Sequence, residues 1–472
     1  LNSESKQGQL IRSLGLLSVF FLVVSSVIGS GIYKKVAPMA EAMQSPMLVL
    51  LAWVLGGVLT LFGTLSNAEV ASMLADSGGE FVYYRKIYNR FFAFLYGWAN
   101  FTAIRSASIA SIAYVSAQSF NSLIQLPVLP DSISSITIFG FLTPFDNFGV
   151  KACTILLIIV LTYINYIGLK AGGNFSKIVL YIVVSTIGLI IVLGFSIGDG
   201  SLNNITTNAA GYVSHSWTDS IFIKSLFAAL LGAFWAYEGW STIGYLGGEI
   251  KNAQRNLPLG LIFGILFVMV VYLGINFTYL YVMPIDEMIA ESKSTNTIAA
   301  VTVMNHLLGN GGALFMSLLI LLTTLGTTNT TVLAAPRLYF AMAKEGLFFK
   351  SAAEIHPQYH TPSKAFVFQA VIVSLLVISG SFEQLTDMMI FGSFIFYGAT
   401  ALGVFILRVK MPDAPRPYKA WGYPVVPALF IIFCIALLII TFASKPREAT
   451  MGLVLMATGI PFYFYWNKQK SS

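Results

Sequence analysis

The chain has 472 residues, of which 56% are hydrophobic and 10% charged, where an ordinary soluble domain carries about 25% charged residues. That excludes a water-soluble globule, and it turns the formal net charge of +7 away from nucleic acid, because Lys and Arg in a membrane chain gather in cytoplasmic loops. Two cysteines, Cys153 and Cys434, both inside apolar runs, exclude a disulfide framework and a cysteine metal site.

The polar opening, LNSESKQGQLIRS, lacks a signal-peptide cleavage pattern and is expected to be a cytoplasmic tail over 1–13. A bilayer core of about 30 Å needs about 20 apolar residues per helix. On that window twelve transmembrane helices are predicted, near 14–43, 46–73, 91–124, 149–168, 176–197, 218–246, 258–283, 312–343, 365–380, 387–407, 424–443 and 449–467. An even number puts both termini on one side. Most of the 27 Lys and Arg residues fall there, among them Arg85, Lys86, Arg90, Lys251, Arg255, Lys344 and Arg408. Positive residues stay inside, so the expectation is an all-α, multi-pass protein of the plasma (inner) membrane with both ends cytoplasmic.

The first run breaks its own pattern with VSSVIGSGIYKK, residues 24–35. Gly29, Ser30 and Gly31 sit at mid-depth, where a broken helix survives only if it lines a cavity or is buried in protein. A stop near Gly29 leaves free amides from Ser30 onward, a ready place for a carboxylate. It also leaves free carbonyls near Val27 and Ile28, suited to an ammonium or a cation. Close helix packing by small residues is the competing reading. Lys34 and Lys35, about one turn further, are expected to line a wet outer vestibule or to snorkel.

The third run carries Arg105 in FTAIRSAS. The sixth reads LLGAFWAYEGWSTIGYLGGEIKNAQRNLP, with Glu238 near mid-membrane beside Gly239 and among Trp235, Tyr237 and Trp240. An ionisable residue at that depth is a functional candidate by default. Glu238 could balance a cationic side chain, act as a protonatable coupling group, or pair structurally with Arg105. Runs one and six lie five apart, as two inverted five-helix repeats require, and interruptions in matching segments point to a midplane site. No nucleophile–base set or metal cluster suggests an enzyme.

These residues resemble the amino acid–polyamine–organocation superfamily, and within it the L-type amino acid transporters with bacterial relatives such as serine/threonine exchangers. The resemblance is carried in order by VIGSGIY, WAYEGW, GEIKNAQRNLP, APRLYFAMAKEG, IHPQYHTP and RPYKAWGYPVVP. It implies a LeuT-like fold: broken helices 1 and 6, inverted repeats over 14–197 and 218–407, and two peripheral helices over 424–467. It implies transport of an L-amino acid by alternating access, usually as an exchanger. Amides of Gly29, Ser30 and Gly31 would then hold the substrate carboxylate. Carbonyls at Val27 or Ile28, and at Trp235, Ala236 and Glu238, with Gly239 beside them, would hold the ammonium, and Trp235 would be the outer gate. A sodium- or proton-coupled symporter and a non-transporting amino acid sensor are the alternatives.

Two departures stand out. Many exchangers of this family place a Lys amine on the fifth helix, where NYIGLKAGGNFSKIVLYIVV puts Val183 instead. In the eighth run, TTLGTTNTTVLAAPR sets Thr327 and Thr328 near where sodium-coupled relatives supply hydroxyl ligands. A sodium ion or a water could take the place of the lysine; the competing and favoured reading is that both hydroxyls bond to their own helix backbone. The loop LPVLPDSISSITIFGFLTPFDNFGV lacks the Cys through which eukaryotic light chains bind a heavy chain. No disulfide-linked partner is expected, and the chain is expected to work as a single subunit. Trp235 takes up volume in the site, which favours small neutral amino acids.

Overall fold

The first apolar run folds as two rods end to end. Helix α1 (Leu16–Val27) stops where the Ile28 backbone turns extended, at φ −71° and ψ 98°. Helix α2 (Gly31–Lys34) restarts after Ser30 and passes through Lys35, whose backbone stays helical, into α3 (Val36–Met43). The computed structural model describes residues 14–74, 79–138, 142–167, 172–197, 200–241, 243–244, 250–294, 297–359 and 361–471, with side chains 172–179 and 469–471 left aside. The expected tail over 1–13, and the glycine and glutamate that open GEIKN, lie outside the described residues.

Next come α4 (Pro46–Leu74), α5 (Glu80–Ile87) and α6 (Arg90–Ala99), then a π turn over Asn100–Ile104 that feeds α7 (Arg105–Leu123). The short α8 (Asp131–Ser134) precedes α9 (Phe148–Tyr166) and α10 (Gly172–Ser196); α11 (Leu202–Thr206) leads to α12 (Ser220–Tyr237). The second half continues with α13 (Ala253–Val282), α14 (Ile285–Lys293) and α15 (Ala299–Lys344). It closes with α16 (Ser363–Ser379), α17 (Phe382–Lys410), α18 (Val425–Ser444), α19 (Pro446–Ala457) and α20 (Gly459–Ser471).

Eight of these stretches are long and apolar enough to cross a bilayer on their own. The broken α1–α3 rod, α6–α7, α10 and α16 complete the twelve expected crossings. The protein is thus an all-α polytopic membrane protein. Run three is polar for a span because protein, not lipid, surrounds it: Arg105 to Ser119 are all buried. Ser106, Ser111, Ser116 and Ser119 stay satisfied inside that wrapping by donating to backbone carbonyls, Ser111 to that of Ala107 at 2.7 Å.

Several points differ from expectation. The third run is not one α-helix but carries the π turn, a feature that often marks a functional site. The eighth starts earlier, at Ala299, and kinks at Gly309 (φ 62°, ψ −154°) before the crossing itself. Of the two expectations for Lys34 and Lys35 the vestibule holds and snorkelling does not: both line a cavity beyond the first break, Lys34 bonded to Gln118 and Lys35, 2% exposed, ion-paired to Glu383.

Helix α13 is the spine on which α1 and α4 pack. Small residues permit the approach: a Cβ on Gly260 or Gly264 would come 2.5 Å from Val19 Cγ1 or Val23 Cγ1. At the N-terminal side, buried Glu69 of α4 clamps α17 and the following loop. Arg408 donates to it twice, at 2.9 and 2.7 Å, and the Ala420 amide donates at 2.7 Å.

Candidate functional site

Both broken helices end at the same place. Helix α12 stops at Tyr237, Glu238 is extended (φ −69°, ψ 155°), and Gly239 takes φ +112°, a conformation open to glycine. A Cβ on Gly31, at the start of α2, would stand 2.5 Å from Ala236 Cα and 2.7 Å from Ala236 Cβ. A Cβ on Gly239 would collide with the Ser26 carbonyl of α1. Gly31 and Gly239 are therefore the two points where the breaks touch. Gly29 is different: its nearest neighbour would be Thr327 Cγ2 at 3.7 Å, an ordinary contact.

The hinge is tied by a residue the sequence reading passed over. Tyr272, mid-way along α13, places its hydroxyl 2.9 Å from the carbonyl of Val27 and 2.9 Å from that of Ala236. Those are carbonyls at the ends of α1 and α12, where helix geometry leaves acceptors without intrahelical donors. One hydroxyl hydrogen thus serves two acceptors. The only sequence signal was a polar-tipped aromatic in the middle of the seventh apolar run.

Beside the breaks lies a cavity of about 820 Å³, counting the part open to solvent. Val27, Gly29, Ser30, Gly31, Trp235, Glu238 and Gly239 line it, together with Arg105 and Thr327. Its walls continue past Ser25 and Ser26 of α1 and along α15 to Leu338. Both directions lead from the breaks toward the side that holds the N-terminus. Trp235 is 6% exposed and closes the opposite end against Phe382, ring centroids 5.9 Å apart and nearly perpendicular. Ser30 is 2% exposed, and its hydroxyl has no hydrogen-bond partner among the described residues. A buried hydroxyl without a partner carries an unmet desolvation penalty that an incoming acceptor would relieve.

Glu238 is held by Tyr397 of α17, whose hydroxyl donates to the carboxylate and lies 2.7 Å from each oxygen. The Tyr397 ring also meets Trp240 at 4.9 Å. Arg105, delivered by the π turn, faces the same cavity as Glu238. A second carboxylate stands near, also missed from sequence: Glu80 of α5 is buried and accepts from the Tyr96 hydroxyl and from Asn67 at 3.5 Å. Its sequence signal was faint, an acid after SGG at the edge of the second run.

The remaining candidates separate. Ile28 and Val183 line a smaller neighbouring pocket of about 400 Å³ with Leu180, Thr323 and Thr327. The Thr327 hydroxyl donates to the Thr323 carbonyl at 3.0 Å, and that of Thr328 to the Thr324 carbonyl at 2.6 Å. Those are the bonds one turn back expected of helical threonines. Thr327 faces both cavities, whereas Thr328 lines neither. Ala236 sits behind the wall and takes part through its carbonyl.

Comparison with known proteins agrees along the whole chain. The family model described as amino acid permease matches residues 14–464. The serine/threonine exchanger SteT of Bacillus subtilis (strain 168) is 29% identical over 471 residues, 99% of this chain and 100% of that protein. The b(0,+)-type amino acid transporter 1 of Homo sapiens is 28% identical, covering 98% of this chain and 89% of its own. The large neutral amino acids transporter small subunit 2 of Homo sapiens is 29% identical, covering 96% and 81%.

Proposed function

The chain belongs to the amino acid permease family and is a multi-pass amino acid transporter, and from that premise we propose that it exchanges small neutral L-amino acids across the plasma membrane by alternating access. The observation that carries this reading is the meeting of two helix breaks, Gly31 against Ala236, on a cavity that Ser30 helps to line, its buried hydroxyl without a partner among the described residues. A carboxylate would take the Ser30 hydroxyl and the first amides of α2. An ammonium would take carbonyls at the ends of α1 and α12, at Val27 or Ile28 and at Trp235, Ala236 or Glu238.

Glu238 already accepts from Tyr397 and shares its wall with Arg105, so it leaves little unbalanced negative charge for a cationic side chain. Ser108, Thr330 and Thr331 edge the pocket, which supports a small hydroxyl-bearing substrate, and serine/threonine exchange is what one relative is named for. The repeats are read as 14–197 and 218–407, the termini as cytoplasmic, and the chain as working without a disulfide-linked subunit. Both cysteines are free and lie in helices, Cys153 in α9 and Cys434 in α18.

The test is counterflow in proteoliposomes. Radiolabelled L-serine should enter only when unlabelled amino acid is loaded inside, and net uptake into empty vesicles would overturn exchange. Binding without any flux would instead mark a sensor. A thermal-shift screen of the twenty amino acids identifies ligands, since binding to the folded state alone raises apparent stability.

One observation favours a coupled symporter as the second reading: with apolar Val183 on its wall, the 400 Å³ pocket beside Thr323 and Thr327 has no amine among the described residues. A sodium ion would find hard oxygen ligands there in Thr327 and neighbouring carbonyls; Thr328, turned away, does not fit the set. Uptake unchanged when choline replaces sodium at fixed pH ends that reading.

A further inference from the structure

The lysines that follow the first break face two different helices. Lys34 Nζ donates to Gln118 Oε1 of α7 at 2.6 Å. Lys35 Nζ donates to Thr386 Oγ1 of α17 at 3.0 Å and forms an ion pair with Glu383. Both ammonium groups sit over the Phe382 ring, 4.3 and 4.7 Å from its centroid. Phe382 in turn meets Trp235, which closes the central cavity.

Beyond this layer is a second cavity of about 1140 Å³, counting the part open to solvent, lined by Lys34, Lys35, Glu41, Glu383, Asp387 and Lys445 among others. Two ammoniums, one phenyl ring and one indole therefore separate the two spaces. Burial across the layer is lopsided: the Lys35 side chain is 2% exposed and that of Glu383 is 41%. A buried cation stripped of its partner is strongly destabilising, so losing the Glu383 charge loosens Lys35 even with its Thr386 bond intact. Of the other carboxylates around the vestibule, Asp387 is engaged by Lys445 at 3.3 Å and Glu41 by the Ser292 hydroxyl at 2.6 Å, while Glu291 has one buried oxygen without a partner among the described residues.

We propose that Lys34, Lys35 and Glu383 form an ionic outer gate, which clips α2 to α7 and α17 and clamps Phe382 onto Trp235. The proposal rests on the transporter reading above. Opening toward the vestibule requires α2 to part from α17. That breaks the Lys35–Glu383 pair and the Lys34–Gln118 bond together and frees Phe382. Glu383 is already partly hydrated, and the vestibule gives the released Lys35 a wet, acid-lined space. The gate thus opens by exchanging one partner set for another, with both charges retained.

The test places a reporter cysteine on the central cavity wall, Ile112→Cys, in a Cys153→Ser, Cys434→Ser background. A charged, membrane-impermeant methanethiosulfonate is added outside intact cells. Removing one charge, by Lys35→Met or Glu383→Gln, should raise the outer labelling rate about tenfold by shifting the population toward the outward-open form. The swap Lys35→Glu with Glu383→Lys should bring it back to near the parent rate. Parent-like labelling in both folded single variants, or a swap that labels as fast as they do, overturns the gate. If Lys35→Met fails to insert, Glu383→Gln, which keeps the side-chain shape, decides alone. Uptake of L-serine by the parent is measured in parallel: gated labelling without uptake sinks the transporter reading and leaves the gate standing.

Discussion

Gly31→Ala puts a single methyl group between the two helix breaks. The new Cβ would lie 2.5 Å from Ala236 Cα, 2.7 Å from Ala236 Cβ and 3.1 Å from the Ala236 nitrogen. Carbon atoms pack best at about 3.5–4.0 Å, so α2 and α12 must separate by roughly 1 Å. Two of the three obstructing atoms are backbone, and no rotamer change relieves them. Overpacking of this kind costs about 1–3 kcal/mol, and a misplacement of about 1 Å in a positioned site can cost about 100-fold in rate. Serine counterflow should therefore fall about 100-fold, with melting in detergent lowered but still cooperative. Two controls sharpen the expectation. Gly29→Ala, whose methyl meets only Thr327 Cγ2 at 3.7 Å, should stay within a few-fold of the parent. Adding Ala236→Gly to Gly31→Ala removes the 2.7 Å contact and leaves the 2.5 Å one, so the double variant should not recover. Parent-like exchange by Gly31→Ala, or rescue by Ala236→Gly, would refute the claim that the breaks meet backbone to backbone.

Tyr272→Phe deletes the one hydrogen shared by the Val27 and Ala236 carbonyls; a loss of about 1 kcal/mol is expected, read as a lower melting temperature with exchange reduced several-fold. Glu238→Gln keeps an acceptor for Tyr397 and removes the charge facing Arg105, so exchange should drop while binding in the thermal-shift assay persists. Exchange with the parent's rate and pH profile would show that the charge has no part in transport. Glu69→Ala leaves the partly exposed Arg408 and the Ala420 amide without their acceptor at the N-terminal side, a loss of about 1–3 kcal/mol; unfolding in detergent should register it without a change in substrate preference.

The twelve crossings, the interruption at Gly29–Gly31 and the mid-membrane Glu238 were all legible in the residue order. Lipid imposes that legibility. With no water to satisfy a backbone, apolar runs of fixed length must be helices, and a glycine cluster or a charge inside one must have a local reason. The alternative reading of the triplet also held a share of the truth: Gly31 is a packing contact, while Gly29 is not. What linear order could not convey was which partners arrive from other helices. Tyr272 reaches two carbonyls on separate rods, Tyr397 reaches Glu238, and Lys35 leaves solvent for Glu383 instead of snorkelling. Each contact spans dozens to hundreds of residues along the chain, so its existence depends on how the rods are packed. Local pattern decides where a helix may break; only the packing of α13 and α17 against the breaks decides which atoms meet there.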